Sequence, residues 1–284
     1  MLRKTLKYDL NAIYKIWLIL SVTVMVISLV GGLSLRDLVI SDGTQHFDPY
    51  DIFSGMGVVV TVFTLSAYVI LVWIFVLVRY YQNFFTDEAY LTFTLPVKRK
   101  TLFNSKLISA FIWSSANITV LAMAISVILS MTPTNRDGTG SLLIDFIKNF
   151  STFIKELFKL FDTWAYTYII LTLLIGLLST VFSSLLIYAC ITFGFTMVKR
   201  YKLFMGILVY YVVNLAISFL SYIGSIVLSI VMATGINVLA EYTAGQLKCM
   251  VLFTLIAIAM FYLVLCVSAY KFTLSRIEKN LNLA

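Results

Sequence analysis

The residues of this chain that could carry chemistry are few and scattered. His46, the only histidine, stands among Asp37, Asp42, Asp48 and Asp51. Carboxylates and an imidazole can hold a divalent metal, but one histidine among loosely spaced aspartates is a weak pattern, and the group reads as a solvated acidic loop with no metal site. Cys190, Cys249 and Cys266 all fall inside apolar runs, with neither a CxxC pair nor a Cys/His pair at ligand spacing. They read as small packing residues rather than as disulfides or metal ligands. No HExxH, no paired acids within an apolar run and no nucleophile with a usable base occur, so the chain is not expected to be an enzyme. It also lacks GxxxxGK[ST] and so cannot bind ATP through a phosphate loop of its own. What is left is a polar stretch at 84–106, FFTDEAYLTFTLPVKRKTLFNSK, in which two acids, a proline and a basic run lie side by side.

The surroundings of that stretch define its setting. The chain is 61% hydrophobic, 12% charged and has 3 prolines in 284 residues, with a mean hydropathy of +0.98. Soluble domains are about 45–50% apolar, so an all-α integral membrane protein is expected. Its 21 Lys and Arg against 13 Asp and Glu fall in short bursts between apolar spans, not on one clustered face. The pattern is that of membrane topology and argues against nucleic acid as a partner.

A span needs about 20 apolar residues to cross about 30 Å of hydrocarbon. Six segments qualify, at about 16–35, 57–78, 107–131, 164–198, 203–232 and 249–270, within a single transmembrane domain over 1–284. The first is too long for a cleaved signal and lacks a small-residue cleavage site, so it is expected to stay. The fourth and fifth exceed the bilayer and must tilt, kink near Gly176 or Gly224, or project from it. With both termini cytoplasmic, only Arg36, Arg136, Lys148, Lys155, Lys159 and Lys248 of the 21 basic residues fall outside, the bias expected of that orientation.

Two further segments are amphipathic. Residues 1–15 place Leu2, Leu6, Leu10 and Ile13, continuing to Trp17, on one line and Arg3, Lys4 and Lys7 off it, which predicts an interfacial helix on the cytoplasmic leaflet. Residues 141–161 alternate Asp145, Lys148, Asn149, Thr152, Lys155, Glu156 and Lys159 with Phe146, Phe150, Phe153, Leu157 and Phe161, with Ser141 at the N-cap. This external helix between spans three and four should lie along the outer surface, either anchoring its loop or acting as a lid over an exit.

No predicted span carries a charge near its centre, which weighs against an ion-coupled transporter and against a charged pore. Small and neutral polar residues stand there instead. Ser221, Ser225, Ser229 and Ala233 recur every four residues in the fifth span, a stripe that lets another helix approach. Asn117 and Asn214, the bulkiest polar groups at depth, either bond between helices or line a translocation path.

Residues 79–106 are the longest cytoplasmic connection. Thr86 can cap a short helix with Asp87 and Glu88 in its first turn, and Pro96 stops that element. Exposed Phe84, Phe85, Tyr90, Leu91 and Phe93 would make it a docking surface for another protein.

The string FFTDEAYLTFTLPVKRKTLFNSKLISAFIW resembles the segment after the second span in permease subunits of the ABC-2 type exporter family, where a DE-x-YLT-x-TLPV-like run precedes a basic residue and the third span. The basic amphipathic start, six spans and missing nucleotide site agree with that resemblance over nearly the whole chain. It implies a coupling helix in the 79–106 loop, with Phe85, Asp87, Glu88, Ala89, Tyr90 and Leu91 as contacts to a separate ATPase. It further implies two ATPase subunits that bind ATP and Mg2+, a second permease copy or paralogue, and a place in a bacterial cytoplasmic membrane, with no cofactor in this chain. The external helix has no counterpart in the better-known members. Uncharged spans suit an amphipathic or hydrophobic cargo, such as a peptide antibiotic, a lantibiotic-like molecule or a lipid. A membrane anchor or sensor that recruits a cytoplasmic protein through the same loop is the alternative.

Overall fold

The computed structural model describes residues 2–41, 49–86, 89, 98–135, 137–197, 201–238 and 244–279. Among the described residues there are seven α-helices and no strand: α1 Leu2–Ile40, α2 Pro49–Phe85, α3 Arg99–Met131, α4 Leu142–Phe161, α5 Trp164–Met197, α6 Lys202–Val238 and α7 Ala244–Lys279. All but α4 are long and apolar enough to cross a bilayer, which gives six candidate spans. Helix is the expected solution, because hydrocarbon offers no water to backbone N–H and C=O groups and a helix satisfies them within itself.

The helix ends differ from the sequence expectation. No break separates an interfacial helix at 1–15 from the first span, and α1 runs unbroken over 39 residues. Between Leu2 and Val30 there is neither proline nor glycine to stop a helix. Ile13 is buried on the apolar line predicted for this segment, while Tyr8 and Tyr14 are exposed, so that line packs into protein. Helix α2 starts with Pro49 in the first turn, where a missing N–H costs nothing, and continues past the expected end at 78 to Phe85. Since α3 already begins at Arg99, the connection between them is much shorter than 79–106. Helices α5 and α6 pass through Gly176 and Gly224 without interruption.

The chain resolves into two compact units, Met1–Arg79 with Ile108–Leu160, and Tyr80–Leu107 with Phe161–Ala284. In the first, Val24 of α1, Tyr68 and Val72 of α2 and Val120 and Ala124 of α3 form the core. Ser21 Oγ donates to the Trp17 carbonyl at 2.8 Å, so its lone pair receives the Tyr68 hydroxyl at 3.2 Å. Trp17 and Trp113 lie with ring centroids 5.2 Å apart. Glycine lets α1 and α2 close up, with Gly31 against Thr61 and Gly57 against Ser34.

Helix α4 completes this unit. Ser141 caps it, its hydroxyl accepting from the Ile144 N–H at 3.4 Å, as the sequence predicts. The turn before it carries Gly138 and Gly140 at φ 70° and 82°, a region closed to most side chains. It is tied back to α3 by the Leu142 N–H on the Thr132 carbonyl at 3.0 Å, and Thr134 donates to Asp145 at 2.7 Å. None of its side chains is buried.

In the second unit α5 packs against both α6 and α7. The tightest approach is at Gly194 of α5, where a Cβ would stand 2.6 Å from the Gly206 nitrogen of α6. Gly194→Ala is therefore expected to destabilise by about 1–3 kcal/mol through overpacking against backbone. A Cβ on Gly176 meets nothing within 4 Å, so Gly176→Ala should be neutral or gain up to about 1 kcal/mol of helix propensity. Thermal unfolding in detergent checks the pair: a lower Tm for Gly194→Ala alone is the expected outcome, and equal shifts would refute the close approach.

Candidate functional site

The connection between α2 and α3 is held by an aromatic clamp. The last turns of α2 read YYQNFF from residue 80, which places rings at two adjacent positions and again four residues on, and so lines one helical face. Tyr80 is 0% exposed. Its ring stacks on Tyr188 of α5 with centroids 4.0 Å apart and 18° between planes. Its hydroxyl lies 2.7 Å from Thr192 Oγ1, and Thr192 Oγ1 donates in turn to the Tyr188 carbonyl at 2.7 Å. Thr192 has a single proton, so Tyr80 is the donor to Thr192 and both hydroxyls are satisfied.

Around this pair the other rings close in. Phe84 tilts against Tyr80 at 5.1 Å, and Phe85 stacks on Phe195 of α5 at 4.5 Å, which Tyr81 also meets at 5.2 Å. Lys202, the first residue of α6, sets its ammonium over Phe195 at 5.9 Å, within range of a cation–π attraction. Offset and edge-on pairs of this kind are worth about 0.5–1.5 kcal/mol each beyond their buried area.

The beginning of α3 is fixed to α7. Arg99 donates to the carbonyls of Ile277 at 2.9 Å and Glu278 at 3.2 Å, two of the acceptors that a helix end leaves without an internal partner. Tyr270 donates to Asn104 Oδ1 at 2.8 Å, and Phe103 sits between Tyr270 at 5.6 Å and Tyr188 at 6.4 Å. Both ends of the connection are thus attached to the second unit, one to α5 and the other to α7.

The residues predicted to couple to an ATPase fare differently. Phe84 is 0% exposed, which corrects its assignment to an exposed docking surface: its ring is used in the clamp. Phe85 is half-buried against Phe195, and Ala89 is 0% exposed, with its N–H on the Thr86 carbonyl at 2.8 Å. Thr86 itself bonds back to the Gln82 carbonyl at 2.5 Å, closing the end of α2. Asp87, Glu88, Tyr90, Leu91 and Phe93 lie outside the described residues.

Asn117 and Asn214 belong to different compact units. Asn117 is 4% exposed, and its Oδ1 has no hydrogen-bond partner among the described residues. Asn214 is exposed on α6, its amide 3.4 Å from the Tyr210 hydroxyl. Of the small-residue stripe, Ser221 and Ser225 line a groove of about 420 Å³ with Thr254, Ala257 and Ile258 of α7. Their hydroxyls are spent on the Ile217 and Tyr222 carbonyls at 2.6 and 2.7 Å. Ser229 and Ala233 continue along α6, where only the backbone is described. Among the described residues no group of three or more His, Cys, Asp or Glu side chains could hold a metal ion. Cys190 and Cys266 are buried, as packing residues would be, whereas Cys249 is exposed.

No family model, no curated protein and no solved structure matches this sequence. The clamp is the part of the site that sequence reasoning missed, and its signal was the repeated aromatic pair in YYQNFF. Replacing Tyr80 by Phe should cost about 1 kcal/mol for the lost hydrogen bond, and Tyr80→Ala about 3–5 kcal/mol for the emptied core position. Hydrogen exchange over 80–107 checks this. Faster exchange in the order wild type, Phe, Ala is expected, and an unchanged rate in Tyr80→Ala would refute the clamp.

Proposed function

We propose that this chain is the membrane-spanning permease subunit of an ATP-driven exporter of the ABC-2 type, lying in a bacterial cytoplasmic membrane with both termini inside. The observation that carries the reading is the sequence string FFTDEAYLTFTLPVKRK in the connection between the second and third spans. What supports it further is the attachment of that connection. Force applied there reaches α5 through Tyr80 and Phe85 and α7 through Arg99. ATP and Mg2+ are bound by two separate ATPase subunits seated on the connection, and a second permease copy or paralogue completes the assembly. Closure of the ATPases pulls on residues 84–95, and the long helices on either side carry the displacement as rigid rods. The mostly apolar spans offer an amphipathic or hydrophobic cargo, such as a peptide antibiotic, a lantibiotic-like molecule or a lipid, no fixed charge near their centres to bind to.

Purification of the full chain from its native membrane tests this. An ATPase with a phosphate-binding loop should be recovered with it, and Asp87→Lys or Tyr90→Ala should lower that recovery about tenfold, a loss of about 1.4 kcal/mol in binding. Recovery of the ATPase in unchanged amount overturns the docking assignment. Recovery of a different cytoplasmic protein in its place, with the unmodified chain, establishes the anchor or sensor reading instead.

A further inference from the structure

The second unit contains an open cavity of about 430 Å³ lined by Phe182, Leu186 and Phe193 of α5, Val213 of α6, and Ala269 and Phe272 of α7. Its volume lies within the roughly 300–1,000 Å³ of ligand pockets, and its walls are almost wholly apolar. Ser268 and Phe272 on its edge are exposed, so the cavity opens sideways from between these helices. Apolar walls left without a partner forfeit dispersion contacts, and in a bilayer the molecule at hand to cover them is an acyl chain.

One end of the cavity is not apolar. Arg276, one turn beyond Phe272, holds its guanidinium 5.4 Å from the Phe272 ring and 6.0 Å from the Phe193 ring, so it stands over two of the walls. Half-buried there, it has no carboxylate and no hydrogen-bond acceptor among the described residues. A guanidinium carries five N–H donors in a planar fork, and stacking on rings uses its face while leaving its edge to bind. The group that fits such an edge is an oxyanion taken in two parallel hydrogen bonds, above all a phosphate. Lys271 is exposed five residues back along α7, more than a turn away, and Lys202 stands over Phe195 and not over a wall of the cavity, so Arg276 is the cation at this end. Glu278 is the nearest acid along α7, and being two residues on it does not share the face of Arg276.

We infer that this cavity is a phospholipid site: one acyl chain of an anionic lipid fills the space between α5, α6 and α7, and its phosphate is held by Arg276. The lipid belongs to the leaflet on the side of the carboxyl terminus, where a basic side chain at a span end meets headgroups. Its acyl chain ties α5 to the thinly packed α6 and α7 in the place of a protein side chain. The site does not depend on the exporter reading, since it requires neither an ATPase nor transport.

Native mass spectrometry of the full chain, delipidated in detergent and then given phosphatidylglycerol or phosphatidylcholine with identical acyl chains, tests the assignment. One phosphatidylglycerol per chain should be retained at activation energies that strip phosphatidylcholine. Arg276→Gln should weaken the retention of phosphatidylglycerol about tenfold, the worth of a charge-assisted hydrogen bond, and bring it level with phosphatidylcholine, while Arg276→Lys keeps part of the preference. Ala269→Phe, which fills the cavity and leaves the charge, should lower retention of both lipids. Inorganic phosphate at millimolar concentration should not displace the lipid, because the acyl chain supplies the larger share of the binding. Equal retention of the two lipids by the unmodified chain overturns the proposal, and that comparison needs no variant to fold. Retention unaffected by Ala269→Phe, or displacement by free phosphate, overturns it as well, the latter by making Arg276 an anion site without a chain pocket.

Discussion

A hydroxyl buried among protein side chains, like one in hydrocarbon, has no water to turn to, and this constraint governs how the molecule uses its polar side chains. At Tyr80 it is met by a relay: the phenol donates to Thr192, and Thr192 donates to the carbonyl of Tyr188, whose ring stacks on Tyr80. The closed circuit fixes the last turns of α2, from Tyr80 on, against α5. An apolar ring at position 80 would fill the same space but would leave that placement to packing alone. The same logic fixes the beginning of α3, where Arg99 supplies the proton donors that the last carbonyls of α7 lack. The connection that bears the most informative sequence in the chain is in this way held at both ends by groups that could not be left unpaired.

Elsewhere the constraint is met locally. Thr23, Thr61, Thr64, Ser66, Ser115 and Thr119 all donate to the carbonyl four residues back along their own helix. A serine or threonine bonded in this way presents only its methyl or methylene to the outside and is nearly neutral in lipid. Six such hydroxyls therefore add little to helix association, and the stripe at Ser221 and Ser225 behaves likewise, since both hydroxyls are already turned onto their own helix. An asparagine has no such retreat, because its amide offers two donors and two acceptor sites. Asn117, with its carbonyl oxygen buried and unmatched among the described residues, differs in this respect from Ser115 and Thr119 beside it on α3.

The parts of the fold written in local pattern were legible. Six spans follow from apolar runs, and α4 follows from its alternation and from Ser141, because periodicity and capping act over a few residues. The parts that depend on what stands opposite were not. Nothing in residues 1–15 says whether an apolar stripe will meet lipid or another helix, and α1 turns out to be one rod with Ile13 buried. Phe84 looks like a surface ring when read beside Asp87 and Glu88, yet it is buried against Tyr80, whose own partners lie about a hundred positions away. Gly194 and Gly206 lie in separate helices without any motif linking them, so their backbone contact is visible only in three dimensions.

The contrast between α4 and the spans shows how the two kinds of legibility meet. A helix of 20 residues with phenylalanines along one face and no buried side chain would be unstable in water, where that face would exceed the apolar patch a soluble surface tolerates. It is joined to α3 through a turn pinned by Thr132, Thr134 and Asp145, and it passes to α5 through Asp162 and Thr163 alone. Asp162 takes the left-handed conformation at φ 49° and holds Lys248 at 2.8 Å. The pinned turn keeps α4 beside the end of α3, the place where an amphipathic helix can set its rings toward hydrocarbon and its lysines toward headgroups and water. The amphipathic pattern states that the helix needs an interface, and the pinned turn states which one it can reach.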